Sequence, residues 1–224
     1  TSFVIDTVAP TLSGMTLSRT RLGLGQTLSL GLQFDDAHAG VDATVAPAVT
    51  ATVGGQSFDV TPLQFTGDAW SGEVTIAEGT PSGDATISVS GLSDLKGNVL
   101  VPVDSVGAFT VDALRPFVVG SIPADGSNTV PPSDIASVIV GFSEPLDPAT
   151  AISSNFTVRL GVLNIATTAT YSESDEAVLV TLVPETGLLP GSEYSIEVAA
   201  AIADVTGNIA GESATWSFQT RIPT

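Results

Sequence analysis

The residues most able to do chemistry in this chain are carboxylates. Asp and Glu number 24 against six Lys and Arg, giving a formal charge of -18. Most stand singly, yet two sets occupy corresponding places in the two halves. One is Asp6, Asp35, Asp36 and Asp94; the other is Asp112, Glu144, Asp147 and Asp204. Carboxylates gathered at one spot repel, and a hard cation such as Ca2+, taking about six to eight oxygens, relieves that cost. Neither set has EF-hand or Asp-rich nonapeptide spacing. A second reading needs no ion. Asp94-Leu95-Lys96-Gly97-Asn98 and Asp204-Val205-Thr206-Gly207-Asn208 share the pattern Asp-x-x-Gly-Asn. Such a stretch turns well by itself, with Asp capping backbone N–H groups and Gly and Asn accepting positive φ. Ca2+ at the domain ends and plain turns are both open at this point.

Other chemistry finds little to work with. The lone histidine, His38, sits in the polar stretch Asp35-Asp36-Ala37-His38-Ala39-Gly40. A Ser-His-Asp site needs a histidine with an oriented partner, and no Gly-x-Ser-x-Gly elbow frames a nucleophile. His38 is therefore expected in solvent. There is no cysteine, which excludes thiol catalysis, zinc–thiolate sites and disulfides. Paired-carboxylate hydrolysis requires a cleft, which small domains with short loops rarely form. No catalytic residue is expected. Lys96 is the only lysine and the arginines are spread out, so there is no basic patch. The acidic field repels nucleic acid and anionic membranes. No apolar run approaches the roughly 20 residues of a membrane helix. Trp70 and Trp216 have two readings, core packing or stacking on a sugar ring.

The elements that must position these residues come in two copies. Phe3-Val4-Ile5-Asp6-Thr7-Val8-Ala9-Pro10 and Phe109-Thr110-Val111-Asp112-Ala113-Leu114-Arg115-Pro116 are both Phe-x-x-Asp-x-x-x-Pro. Phe218-Gln219-Thr220-Arg221-Ile222-Pro223 is a looser third copy. Each reads as a last strand, a linker and a Pro that stops pairing. The two Asp-x-x-Gly-Asn stretches repeat at nearly the same period. We expect one domain over 1–112 and a second over 113–224. Residues 1–9 would be the tail of a preceding domain and 221–224 the start of a linker.

Short alternating segments between turn signals predict two all-β, immunoglobulin-like sandwiches of about seven strands each. In the first, strands are expected near 11–18, 27–35, 46–54, 57–65, 69–77, 84–92 and 107–112. In the second they are expected near 117–122, 135–143, 156–160, 163–171, 177–183, 193–201 and 214–220. Val53-Gly54-Gly55-Gln56 and Leu160-Gly161-Val162 read as hairpin turns. Ala149–Ser153 is the one short helical candidate. Leu189-Pro190-Gly191 before Tyr194 resembles a tyrosine corner. In such a fold the entry linker, the loop after strand two and the loop after strand six share one end. That gathers each set of acids at the entry end of its domain.

The second half resembles the bacterial Ig-like module of S-layer proteins. The resemblance rests on Ile122-Pro123-Ala124-Asp125-Gly126, Phe142-Ser143-Glu144-Pro145-Leu146-Asp147, Leu189-Pro190-Gly191, Tyr194, Asp204-x-x-Gly207-Asn208 and Phe218-Gln219-Thr220. Residues 10–112 resemble the Ig-like repeats of large bacterial adhesins, more loosely. These resemblances imply a tandem, extracellular, non-enzymatic array at the bacterial cell surface, with neighbouring Ig-like domains of the same chain as its first partners. They imply a spacer or stalk. They also fit an adhesive module for a glycan or protein ligand, and an accessory pair on a secreted hydrolase.

Overall fold

Alternation decides the strands. Between Thr27 and Asp35 the side chains of Leu28, Leu30, Leu32 and Phe34 are buried while Ser29, Gln33 and Asp35 are exposed. A period of two puts one face of an extended strand in the core and the other in water. The structure is a computed structural model and describes residues 5–106, 108–128, 130 and 137–222. It divides into two units, Thr1–Leu114 and Arg115–Thr224. The tail Phe3-Val4, Pro223 and the start of the strand expected near 135–143 lie outside the described residues.

The first unit contains β1 (Thr11–Leu17), β2 (Arg21–Leu22), β3 (Thr27–Asp35), β4 (Ala48–Val53), β5 (Gln56–Asp59), β6 (Thr61–Thr66), β7 (Ala69–Thr75), β8 (Gly83–Ser90) and β9 (Ala108–Val111). They form sheets ordered β1-β3-β7-β6 and β2-β9-β8-β4-β5. The second unit contains β10 (Val118–Ile122), β11 (Val138–Phe142), β12 (Phe156–Leu160), β13 (Leu163–Ile165), β14 (Thr167–Glu173), β15 (Val178–Pro184), β16 (Glu193–Val198) and β17 (Ala214–Gln219). Their sheets are β10-β11-β15-β14 and β13-β12-β16-β17. A 3-10 turn at Ser153–Asn155 begins at the last residue of the helical candidate Ala149–Ser153. Both units are all-β Ig-like sandwiches, each with a core of its own. Leu28, Ile87 and Leu92 lie at the centre of one, and Val180, Leu182 and Ile196 at the centre of the other.

Two expected strands divide in the same way. The segment expected near 57–65 breaks at Val60, and the one near 163–171 breaks at Ala166. In each case the chain leaves one sheet and joins the other. Val60 is buried, and its N–H donates to the Val49 carbonyl at 2.9 Å. Pro62 follows, with a register shift between Pro62 and Gln64; a residue without an N–H suits an irregular edge. The Val53–Gln56 hairpin forms as expected, with Gly54 and Gly55 at φ 56° and 79°.

Both tryptophans pack inward. Trp70 is 2% exposed and Trp216 is 8% exposed, so core packing is their role. Gly72 makes room for the first: a Cβ there would come within 2.4 Å of the Trp70 ring.

The tyrosine corner forms. Tyr194 is buried, its ring stacks on Phe218 with centroids 5.6 Å apart, and its Oη accepts the Leu189 N–H at 2.7 Å. The Thr220 hydroxyl donates to the Leu189 carbonyl at 2.6 Å, so both polar groups of that peptide residue are held. Removing the hydroxyl strands a sheltered N–H. We predict that Tyr194→Phe costs the second unit about 1–2 kcal/mol in urea unfolding.

Candidate functional site

The loop after β8 fixes the entry end of the first unit. Asp94 is 1% exposed. Its Oδ1 accepts the backbone N–H groups of Lys96 and Asn98, both at 2.8 Å, and its Oδ2 accepts the Asn98 amide at 2.7 Å. The positive φ of this turn falls on Gly97, at 88°. Asn98 acts through its side chain instead: the same amide nitrogen also lies 3.2 Å from the Asp6 carbonyl. That corrects the expectation that Asn would share the left-handed role.

Two more segments close on this turn. After β3, Asp36 Oδ1 accepts N–H groups from His38, Ala39 and Gly40 at 3.1, 2.7 and 2.9 Å. The Leu95 N–H donates to the Gly40 carbonyl at 3.0 Å, tying this loop to the one holding Asp94. In the entry segment, Asp6 Oδ1 accepts the Val8 N–H at 2.9 Å. The outcome is one carboxylate oxygen each from Asp6, Asp36 and Asp94, all within 4.8 Å of one another. Oδ2 of Asp6 and Oδ2 of Asp36 are both buried and accept no hydrogen bond. Buried anionic oxygens without partners are costly.

Asp35, expected in this group, stays out of it. It is the last residue of β3, and the alternation that buries Phe34 turns Asp35 to solvent. His38 is exposed, as expected.

The second unit repeats the turn with a different ending. Asp204 is 1% exposed. Its Oδ1 accepts the N–H groups of Thr206 and Asn208 at 2.7 and 2.9 Å, and its Oδ2 accepts the Asn208 amide at 2.7 Å. The Thr206 hydroxyl adds a contact of 2.8 Å to each oxygen. Glu144 and Asp204 bring carboxylate oxygens within 4.8 Å of each other. Asp147 is spent on its own turn, where its Oδ1 accepts the Ala149 N–H at 2.9 Å. Asp112 belongs to the first unit. There its Oδ2 takes Arg21 at 3.2 Å and its N–H donates to the Leu22 carbonyl at 2.8 Å. The expected grouping of Asp112 with Glu144, Asp147 and Asp204 draws on residues from both sides of the division between Leu114 and Arg115.

The acidities follow from these contacts. The Gly40 N–H is the main reason that the Asp36 carboxyl sits below its usual range, with Ala39 and His38 adding to it. Burial and the nearby Asp94 charge work the other way. For Asp94 burial is the largest influence and raises the value, but the Asn98 amide and the N–H groups of Asn98, Lys96 and Gly97 together bring it below the usual range.

These sandwiches have known relatives. Residues 112–220 match the family model described as "Bacterial Ig-like domain". The FdeC adhesin of Escherichia coli is similar in structure at a TM-score of 0.52 and 9% identity, over 92% of this chain and 63% of that one. The N-terminal part of the bacterial S-layer protein SbsC is 23% identical over 50% of this chain and 24% of its own, at a TM-score of 0.36. The Ig1–Ig2 pair of DIP-gamma is 9% identical over 97% of this chain and all of its own, at 0.46. This chain thus spans about a quarter of the S-layer fragment and under two thirds of the adhesin. Curated proteins give no match. The adhesin likeness shows the fold, and the tandem Ig-like architecture read from the repeats holds.

Two outcomes test this geometry. The hydrogen bonds that Asp36 and Asp94 accept hold both carboxyls below the usual carboxylate range in the folded chain. Carboxyls of that kind add stability above their unfolded pKa and lose it as pH falls through the folded values. The first unit's melting midpoint should therefore hold from pH 7 to about 5 and fall below about pH 4. Asp204→Ala strands the Thr206 and Asn208 donors and should cost the second unit about 2–3 kcal/mol in urea unfolding.

Proposed function

We propose that this chain is a non-catalytic segment of a bacterial surface or secreted protein. Its two Ig-like sandwiches serve as spacers, and a hard divalent cation holds the entry end of the first. The observation that carries the cation is the pair of buried, partnerless oxygens on Asp6 and Asp36 beside the Asp94 carboxylate. Oxygen donors with no nitrogen or sulfur among them suit calcium, whose flexible coordination accepts carboxylates, carbonyls and water. An ion there would neutralise the mutual repulsion and tie the entry segment, through Asp6, to the loops after β3 and β8.

The spacer reading is supported by the architecture. The single histidine stands in solvent, and both tryptophans are consumed by the cores. A family of bacterial Ig-like domains and an adhesin of like fold are in keeping with an extracellular setting. Adhesion to a glycan or protein is the rival use, and a glycan array probed with the whole chain separates them: the spacer leaves it blank.

Titration with CaCl2 should show saturable heat and raise the first unit's melting midpoint, because a ligand bound only by the native state adds stability. Asp36→Asn should weaken binding about tenfold or more. An identical melting curve in about 5 mM CaCl2 and in excess chelator removes the cation from the proposal.

A further inference from the structure

The four sheets present four outward faces, and one differs from the rest. On β1-β3-β7-β6 the outward positions include Ser29, Gln33 and Glu73, with the Ser29 hydroxyl on Glu73 at 3.0 Å. On β2-β9-β8-β4-β5 they include Thr50, Thr52, Thr86 and Ser88. On β13-β12-β16-β17 Arg159 pairs with Glu197 at 2.7 Å. These faces are made for water, as expected of antiparallel sheets with one side in the core.

The outward face of β10-β11-β15-β14 is uncharged, and toward β10 and β11 it is apolar. Val119, Ile122 and Val183 are 59%, 65% and 41% exposed, and Ile139 and Leu179 are partly exposed beside them. Gly120 and Gly141 pair at its middle. A Cβ on Gly141 would lie 3.3 Å from Val119 and 3.8 Å from Leu179, which sets those two side chains over the same shallow floor. The remaining outward positions on β14 and β15 are Thr168, Thr170, Ser172 and Thr181. Not one outward position of these four strands, all described, is charged, in a chain of formal charge -18.

We propose that this face is a self-association surface on which a second copy of this chain packs sheet against sheet. Charge selects the occupant. A basic partner would gain most on the acidic surfaces and nothing on an uncharged one. A like-charged partner needs contact where no carboxylate is buried or opposed, and another copy of this chain meets that condition with the same patch, as a two-fold contact requires. The four strands span about 19 Å and roughly five residues of each are in play, giving about 300 Å² per copy. Two copies would bury about 600 Å², short of the roughly 1,200 Å² of a stable dimer. The contact is therefore weak, and it forms where copies are crowded or tethered side by side.

Sedimentation equilibrium of the whole chain tests this between about 10 µM and 1 mM, in about 20 mM and 500 mM NaCl. The weight-average mass should rise toward two chains, and more so in high salt, because salt screens repulsion between acidic molecules while sparing an apolar contact. Thr181→Glu, at the centre of the face, should weaken association at least tenfold. Ser88→Glu adds the same charge on a polar face of the first unit and should leave association nearly unchanged. Melting curves of both variants confirm that they are folded. A monomer at 1 mM in both salts overturns the proposal and leaves the face to a different partner. So does association that weakens with salt, or that survives Thr181→Glu unchanged.

Discussion

A buried carboxylate closes the same loop in each sandwich, and the entry end of each is arranged around it. An ionised group out of water is costly unless hydrogen bonds replace its hydration. Asp94 and Asp204 obtain that replacement from their own turns, which forces the turns into one shape. The N–H groups two and four residues on must converge on one oxygen, and the Asn amide must reach the other. The left-handed step this needs falls on Gly97 and Gly207, at φ 88° and 91°. Once the turn is fixed, neighbouring chain segments register against it. Gly40 meets Leu95 in the first unit, and Asp147 meets Ala203 in the second.

The two turns differ at their second and third residues, and the third bears on the carboxylate. The third residue is Thr206 in one and Lys96 in the other. The Thr206 hydroxyl lies 2.8 Å from both Asp204 oxygens, so this carboxylate is satisfied from within. Lys96 contributes a backbone N–H to Asp94 and has no hydroxyl to add. Beside Asp94, two further oxygens are left buried and unpaired. The same backbone device thus gains a hydroxyl contact in the second unit, where Glu144 also lies beside Asp204, and in the first stands beside the unpaired oxygens of Asp6 and Asp36.

Much of this could be read from the residues. The repeated Phe-x-x-Asp-x-x-x-Pro and Asp-x-x-Gly-Asn patterns record a duplicated sandwich, and period-two stretches such as 27–35 mark strands whose inner faces are apolar. Loop proximity then followed from alternating strand direction, which is how Asp6, Asp36 and Asp94 could be grouped from 88 residues of separation (94 minus 6). What escaped was local. The sheet switch at Val60 and Ala166 uses a single residue and leaves no turn signal, so each pair of strands read as one. Whether Asp35 or Asp36 faces inward hangs on where β3 ends, a matter of one residue. Asn98 and Asn208 read as turn residues, because a side-chain amide serving a buried carboxylate has the same spacing as one accepting positive φ.

Charge placement connects these features. A chain of formal charge -18 must keep its carboxylates apart, solvated or paired wherever it can. Most stand singly on loops and polar faces, and Asp94 and Asp204 are paid for by their turns. Against that pattern two regions stand out for opposite reasons. At the entry end of the first unit, carboxylates converge although separation was available. On the outer face of β10-β11-β15-β14 they are missing although every other sheet face is polar. Repulsion alone would smooth away both extremes. On the reading proposed above, a cation compensates the convergence and a like-charged second copy approaches the cleared patch. The acidic composition therefore does more than keep the chain in solution: it makes both the crowding and the clearing of carboxylates energetically meaningful.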